Sequence, residues 1–228
     1  MNPVAKRTVT ALALAAAVVL AIVHSPLWLV TAVFAAVVAL AAVEFTTLLW
    51  RRSRSPAVRL GGTLLGVGVL VGGLSALPFA AWRYGNLMML YLIAVVKLSD
   101  MGGFAFGISS AKLMKGGNHK LCPTVSPNKS WEGLGGSLLA ATLMSLLLMP
   151  LTGFSWRWSV LFGVIAALVG TLGDLAESKF KRWAQVKDSS TMRVFNGLGG
   201  FLDMVDSLLL APALLLALIV GFRLAGGC

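Results

Sequence analysis

Acidic residues are few in this sequence, and they stand beside glycine, serine and basic residues. The chain of 228 residues has eight Asp and Glu residues, and every one except Glu44 lies at position 100 or beyond. Asp174 and the pair Asp203 and Asp206 border long apolar runs. A carboxylate at the centre of a membrane helix costs roughly 2.5–3.5 kcal/mol on insertion scales. Carboxylates kept at such borders, next to Lys and Ser, predict the handling of metal ions and phosphates at a membrane surface.

The first motif is Ser-Pro-Asn-Lys-Ser-Trp-Glu-Gly, residues 126–133, directly before an apolar run. Its polar side chains ahead of that run are those of Ser126, Asn128, Lys129 and Ser130. Ser130 is a candidate N-cap, with Glu132 in the first helical turn. Polar groups at a helix N-terminus suit a bound phosphate. The alternative is an ordinary helix start with an interfacial tryptophan.

The second motif covers residues 173–188, at the end of another apolar run. If the helix continues, its polar residues share one face at spacings of three and four, and these are Asp174, Glu177, Ser178 and Lys181. The basic residues Arg182 and Lys187 and the acidic residue Asp188 follow. The alternative is a solvated helix end with internal ion pairs.

The third motif is Gly-Leu-Gly-Gly-Phe-Leu-Asp-Met-Val-Asp-Ser, residues 197–207. Its glycines permit a tight turn or a close approach to a ligand. Asp203 and Asp206 share one helical face, where two carboxylates repel unless a cation or a shared proton lies between them. Oxygen ligands of this kind predict Mg²⁺. Lys97 and Asp100 form a smaller fourth pair, which either neutralises itself or joins the site.

The elements that must position these motifs are membrane helices. Hydrophobic residues make up 58% of the chain and charged residues only 12%, whereas a soluble domain has about 25% charged residues. The apolar runs reach the roughly 20 residues that a spanning helix needs, and they do not alternate as barrel strands do. We therefore predict an all-α, polytopic membrane helix bundle. Its seven transmembrane helices are expected at about 8–24, 26–50, 58–81, 85–108, 132–153, 157–176 and 204–222.

The basic residues predict the orientation of this bundle. Of the 19 Lys and Arg residues, 15 fall in the N-terminal segment and in alternate loops, on one side of the predicted membrane. The positive-inside rule then places the N-terminus in the cytoplasm. We divide the chain into an N-terminal transmembrane scaffold (1–84) and a catalytic transmembrane region (85–228) with cytoplasmic loops 109–131 and 177–203. Topology accounts for most of the net charge of +11, although it also favours anionic lipids and nucleotides.

Taken in order, the motifs resemble the phosphatidate cytidylyltransferase (CDP-diacylglycerol synthase) family over about residues 95–215. The resemblance implies transfer of CMP from CTP to phosphatidate, which gives CDP-diacylglycerol and pyrophosphate for phospholipid synthesis. It also implies Mg²⁺, with a second cation such as K⁺ as a further option. This sequence has Leu198 and Met204 where the family usually has His and Arg.

The resemblance implies specific residue roles. The catalytic residues are Lys129, Asp174, Asp203 and Asp206, of which the three aspartates hold the metal. The residues implied in substrate binding are Ser126, Asn128, Ser130, Lys181, Arg182, Lys187, Asp188 and Asp100. Asp100 matches an acidic position of the family, and its role is open.

The partners and the location follow from this reading. We expect CTP, phosphatidate and membrane lipids as partners, a homodimer as a further option, and no nucleic acid. The expected location is the cell (inner) membrane, with the active site facing the cytoplasm. Two alternatives stay open. One is another CTP-dependent lipid enzyme, such as a polyprenol kinase or a synthase for a different lipid phosphate. The other is an ion-coupled transporter, in which membrane carboxylates would bind Na⁺ or H⁺.

Overall fold

A computed structural model describes residues 17, 19–114, 117–186 and 200–224. The long apolar runs form helices, because a helix satisfies its backbone hydrogen bonds internally and needs none from lipid. After a helical segment at residues 19–24, the elements are α1 (Leu27–Arg52), α2 (Pro56–Leu74), α3 (Ala76–Tyr84), α4 (Asn86–Leu113), β1 (Lys120–Cys122), β2 (Ser126–Ser130), α5 (Trp131–Leu147), α6 (Met149–Thr152), α7 (Trp156–Ala184), α8 (Phe201–Val205) and α9 (Ala211–Leu224).

The predicted helical membrane bundle is confirmed at the level of its class. Four helical stretches of the described chain are long and apolar enough to cross a membrane, and these are Leu27–Arg52, Pro56–Tyr84, Asn86–Leu113 and Trp156–Ala184. They match four of the seven predicted spans. The predicted spans 132–153 and 204–222 contain the shorter apolar helices α5 and α9. Of the predicted span 8–24, residues 17 and 19–24 are described and helical, and the remaining positions lie outside the described residues.

The first motif lies on a β-hairpin rather than in the loop expected at 109–131. β1 pairs with β2 in antiparallel orientation, and Lys120 lies opposite Ser130. The hairpin leads directly into α5, where the Trp131 amide donates to the carbonyl of His119 at 3.0 Å. The strands are short and polar, so no alternation of apolar residues revealed them. The hairpin adds a small sheet to the predicted all-α fold and fixes the direction of the Ser126–Ser130 side chains.

Close helix crossings bring the catalytic region together. α4 and α5 pack through small residues, since a Cβ on Gly136 would come within 2.7 Å of the Gly102 carbonyl oxygen. A Cβ on Gly163 of α7 would likewise come within 2.6 Å of Thr142 Cα in α5. α5 is therefore held between α4 and α7, and this arrangement surrounds one cavity with residues from all three helices and β2.

Residues 200–207, here called the acidic turn, comprise α8, Gly200 before it, and Asp206 and Ser207 after it. This segment packs between α1, α4 and α7. The backbone approaches α7 closely, because a Cβ on Gly173 would come within 2.8 Å of the Asp206 carbonyl oxygen. Leu202 and Val205 are buried on its inner face. The acidic turn is thus fixed against three helices before the chain continues into α9.

Candidate active site

A cavity of about 260 Å³ lies between α4, the hairpin, α5 and α7. Its polar lining residues are Asp100, Ser126, Asn128, Lys129, Ser130, Ser137, Thr171 and Asp174. Gly103 and Gly133 also line it, and they keep the wall between α4 and α5 free of side chains. The sequence separates these residues by up to 74 positions, and the fold brings them to one polar space beside apolar helices.

Lys129 and Asp174 form the strongest contact in this cavity. Lys129 Nζ donates to Asp174 Oδ2 at 2.6 Å, and the side chains are only 25% and 18% exposed. The other carboxylate oxygen, Asp174 Oδ1, is buried and has no hydrogen-bond partner among the described residues. A buried carboxylate oxygen without a partner favours a bound cation or water, because an unsatisfied buried polar group is costly. Asp174 can therefore hold Lys129 and still accept a further ligand.

Ser130 caps α5 as the sequence predicted. Its Oγ accepts a hydrogen bond from the Gly133 amide at 3.1 Å. Glu132 lies in the first turn, as predicted, and its carboxylate accepts from the His119 amide at 3.1 Å and contacts the His119 ring at 2.7 Å. These contacts fasten the hairpin to the start of α5, so that the N-terminus of this helix faces the cavity that Ser130 lines.

A second charged cluster lies on the other side of Asp174. Lys181 Nζ lies 2.7 Å from Glu177 Oε2 and 2.9 Å from Asp203 Oδ1. Asp203 Oδ2 also accepts from the Gly200 amide at 3.0 Å. Burial of Asp203, which lies outside the four candidate spans, opposes its ionisation. Hydrogen bonding to Glu177, to the Gly200 amide and to Lys181 outweighs burial and lowers the pKa of Asp203 to about 2.

Asp206 directly follows α8, and its Oδ1 accepts from the Ser207 amide at 2.6 Å. Its carboxyl is close enough to Asp174 and Asp100 for the charges to repel, and to Lys97 for attraction. Lys97 Nζ donates to the Met204 carbonyl and to Ser207 Oγ, both at 3.0 Å. It also lies 3.7 Å from Asp100 Oδ2. Lys97 therefore links α4 to the acidic turn and is not only the partner of Asp100.

The structure divides the predicted site residues into groups. Asp100, Ser126, Asn128, Lys129, Ser130 and Asp174 line the polar cavity. Lys181 and Asp203 belong to the second cluster, in which Lys181 also pairs with Glu177. Arg182 Nε donates to the Val125 carbonyl at 3.4 Å, at the hairpin turn. Lys187 and Asp188 lie outside the described residues, as does Leu198.

Two residues with structural contacts at this site were not among the predicted site residues. Glu44 of α1 is buried, and its carboxylate accepts from the Leu202 amide at 3.0 Å. Lys97 was noted only as a neighbour of Asp100. In both cases the available signal was an ionisable residue within an apolar run, where such residues are costly and usually have a partner.

The predicted metal ligands, Asp174, Asp203 and Asp206, do not fit a bound cation equally well. The described part of the chain contains no group of three or more His, Cys, Asp or Glu side chains arranged to hold a metal ion. Asp174 nevertheless fits a cation, because its Oδ1 is buried without a partner and Asp206 lies nearby. Asp203 fits less well, because Lys181 and the Gly200 amide already bind its two oxygens.

A polar cavity with acidic and basic side chains thus lies among the apolar helices of a membrane protein. The sequence model of the cytidylyltransferase family matches residues 59–222, which include every described residue of the cavity and the acidic turn. The chain therefore belongs to the cytidylyltransferase family.

Curated relatives carry a more specific name. The chain is 41% identical over 134 residues to the phosphatidate cytidylyltransferase of Staphylococcus aureus (strain COL), a match that covers 58% of this chain and 48% of the relative. It is 38% identical over 151 residues to the phosphatidate cytidylyltransferase of Staphylococcus haemolyticus, covering 65% and 55%. The match to the enzyme of that name from Staphylococcus saprophyticus is 40% over 134 residues, covering 58% and 48%. The chain thus spans about half the length of the curated relatives it matches.

Proposed function

We propose that this protein transfers CMP from CTP to phosphatidate and releases pyrophosphate. The observation that carries the proposal is the cavity in which Lys129 and Asp174 pair at 2.6 Å next to Ser126, Asn128 and Ser130. This combination supplies a cation, hydroxyl and amide groups for phosphates, and a carboxylate with a free oxygen. The cytidylyltransferase family and the name of the relatives point to the same reaction.

In the proposed reaction, an oxygen of the lipid phosphate attacks the α-phosphorus of CTP. The bond between that phosphorus and the oxygen bridging to the β-phosphorus breaks, and pyrophosphate leaves. The lipid phosphate is already an anion, so no strong general base is required. The protein has to align the two reactants and stabilise the negative charge that they bring together.

The site residues have separate proposed roles in aligning the reactants and stabilising their charge. Lys129 stabilises negative charge on the triphosphate, and Asp174 holds the ammonium group in place. Ser126, Asn128 and Ser130 bind phosphate oxygens at the start of α5, where the helix N-terminus adds favourable charge. Lys181 and Arg182, with Lys187 and Asp188 beyond the described residues, are proposed to bind the lipid phosphate or the leaving pyrophosphate.

Mg²⁺ is proposed as the cofactor, and the sequence-based ligand set of Asp174, Asp203 and Asp206 stays a prediction. The unpartnered Asp174 Oδ1 and the nearby Asp206 support the first and last of these. The contacts of Asp203 make it the weakest of the three, and Asp100 is a further carboxylate close enough to repel Asp206. When bound there, Mg²⁺ would neutralise charge on the phosphates. A second cation such as K⁺ is a separate prediction.

The proposed setting is the cell (inner) membrane. We propose seven membrane-spanning helices, a cytoplasmic N-terminus and an active site that faces the cytoplasm, where CTP is available. The basic residues that flank the apolar runs support this orientation. A homodimer is a further prediction, which the mass of the purified protein in detergent would check.

A direct assay tests the proposed function. Purified protein is incubated in detergent with Mg²⁺, phosphatidate and CTP labelled at the α-phosphate. We expect labelled CDP-lipid together with one pyrophosphate per turnover, and loss of both in Lys129→Met. Thr46→Val is a suitable control, because this hydroxyl donates only to carbonyls within its own helix α1.

The same assay separates the alternatives. Transfer of the γ-phosphate from CTP to a polyprenol would replace the proposal with a kinase. CDP-lipid formation with another lipid phosphate, but not with phosphatidate, would change the substrate. Ion-driven flux in proteoliposomes without CTP, with no CDP-lipid formed, would favour a transporter.

A further inference from the structure

Glu44 is a carboxylate in the membrane-spanning helix α1, far in sequence from the catalytic region. It is 1% exposed, and it precedes by one position Phe45, whose ring stacks on that of Phe180 at 4.5 Å. A carboxylate is costly at such a position unless it is hydrogen-bonded. Ordinary packing of α1 against α7 would be served by an apolar residue, so the acid requires a specific explanation.

The contact that Glu44 makes supplies this explanation. Its Oε2 accepts a hydrogen bond from the Leu202 amide at 3.0 Å. Leu202 directly precedes Asp203 in the first turn of α8, and its own side chain is buried. The first amides of a helix have no partner within the helix. Glu44 therefore fixes the backbone of the acidic turn at the residue beside Asp203.

The acidic turn is held from the opposite side by Lys97. This side chain donates to the Met204 carbonyl and to Ser207 Oγ. Helix α1 thus binds an amide of the turn, and helix α4 binds a carbonyl and a hydroxyl. Held by both helices, the acidic turn places Asp203 against Lys181. It also places Asp206 close enough to Asp174 for the two carboxylates to repel.

We propose that Glu44 is a positioning residue, whose hydrogen bond to the Leu202 amide sets the place of the acidic turn relative to α7. It touches no substrate and acts through Asp203 and Asp206. The catalytic consequence rests on the proposed function, whereas the structural contact does not. The inference gives the N-terminal scaffold a part in the active site.

Hydrogen exchange tests the contact without any assay of activity. Glu44→Gln keeps an oxygen acceptor in nearly the same volume, whereas Glu44→Met fills the space without one. In the full chain in detergent, we expect amide exchange in peptides covering residues 200–207 to rise about tenfold or more in Glu44→Met, because local opening becomes easier. Glu44→Gln and the control Thr46→Val should stay close to the wild-type rate. Unchanged exchange in Glu44→Met, or an equal rise in Glu44→Gln, would overturn the proposed hydrogen-bonding role.

Kinetics test the catalytic consequence. We expect Glu44→Met to lower kcat for CDP-lipid formation about 10- to 100-fold, because a misplacement of about 1 Å can cost roughly 10²-fold. The KM for CTP should change less than about threefold, since Glu44 is not among the cavity-lining residues. Glu44→Gln should restore most of kcat. Faster exchange with unchanged kcat would contradict the catalytic part of the inference. A wild-type protein that makes no CDP-lipid would instead refute the proposed function, and the exchange result would decide the positioning role alone.

Discussion

Two carboxylates three residues apart on α7, Asp174 and Glu177, border two different cavities. Asp174 pairs with Lys129, keeps one oxygen without a partner among the described residues, and lines a polar cavity. Glu177 belongs to a cluster in which Lys181 lies between two carboxylates. The cluster borders a second cavity, of about 320 Å³, lined almost entirely by apolar side chains such as Phe45 and Leu202.

The difference separates a site for ligands from a site for holding the fold. An open polar space with an unsatisfied carboxylate oxygen can bind an additional charged group. The oxygens of Glu177 also have no hydrogen-bond partner among the described residues, but this carboxylate lies against Lys181 and beside apolar side chains rather than on an open polar space. We therefore assign chemistry to Asp174 and positioning of the acidic turn to the Glu177 cluster, and the following changes test that assignment.

The largest effect is expected for Asp174→Asn. The change removes the charge that holds Lys129 and the free oxygen in the cavity, so CDP-lipid formation should fall about 10²- to 10³-fold. Glu177→Gln is the matched control on the same helix, and it should cost less than about tenfold. The two variants are compared by their initial rates of CDP-lipid formation at saturating CTP and phosphatidate. Similar losses in both variants would show that the two carboxylates are not functionally distinct.

Removing the charge of each aspartate in the acidic turn should lower the rate of CDP-lipid formation by a different amount. Asp206→Asn should lower the rate about 10²-fold, because Asp206 faces the charges of Asp174 and Asp100. Asp203→Asn should cost about tenfold, since Lys181 and the Gly200 amide already engage that carboxylate. Rates measured over a range of Mg²⁺ concentrations check this ranking. A larger loss in Asp203→Asn than in Asp206→Asn would instead make Asp203 the stronger candidate for a metal ligand.

Lys181→Met should mainly affect stability. It leaves Glu177 and Asp203 without their shared cation, and removing one partner of a buried pair typically costs 3–5 kcal/mol. We expect about 3 kcal/mol, because Lys181 and Asp203 are 17% and 18% exposed and water reduces the penalty. Thermal unfolding in detergent measures the change. The double variant Lys181→Met/Glu177→Gln should recover part of the loss, and no recovery would contradict the ion-pair explanation.

Local patterns predicted much of this molecule. Apolar length predicted the membrane helices, and the Ser130 cap with Glu132 in the first turn followed from a local rule about helix starts. The cavity residues Ser126, Asn128 and Ser130 were also predicted, because a phosphate site needs polar side chains near a helix N-terminus, whereas Ser137 and Thr171 were not. These features depend on neighbours within a few positions, which the sequence displays directly.

Contacts between segments far apart in the sequence could not be predicted from local patterns. Asp174 and Glu177 are neighbours on a helix by spacing, yet their partners come from different places. Lys129 precedes Asp174 by 45 positions, whereas Lys181 is four positions after Glu177. Glu44 and Leu202 are 158 positions apart. The choice of partner is set by helix crossings, which periodicity within one helix does not specify.

The smallest effect is expected at Ser130, where the cap and the cavity meet. Ser130→Ala removes the acceptor for the Gly133 amide and should cost about 1 kcal/mol of stability. Ser130→Asp keeps an acceptor of the kind that caps helices well, but it adds negative charge beside the proposed phosphate site. We therefore expect Ser130→Asp to unfold near the wild-type temperature and to have a higher KM for CTP. Thermal unfolding and CTP titrations separate the two roles. A KM unchanged by the added charge would mean that Ser130 only caps α5, and that the phosphates bind elsewhere in the cavity.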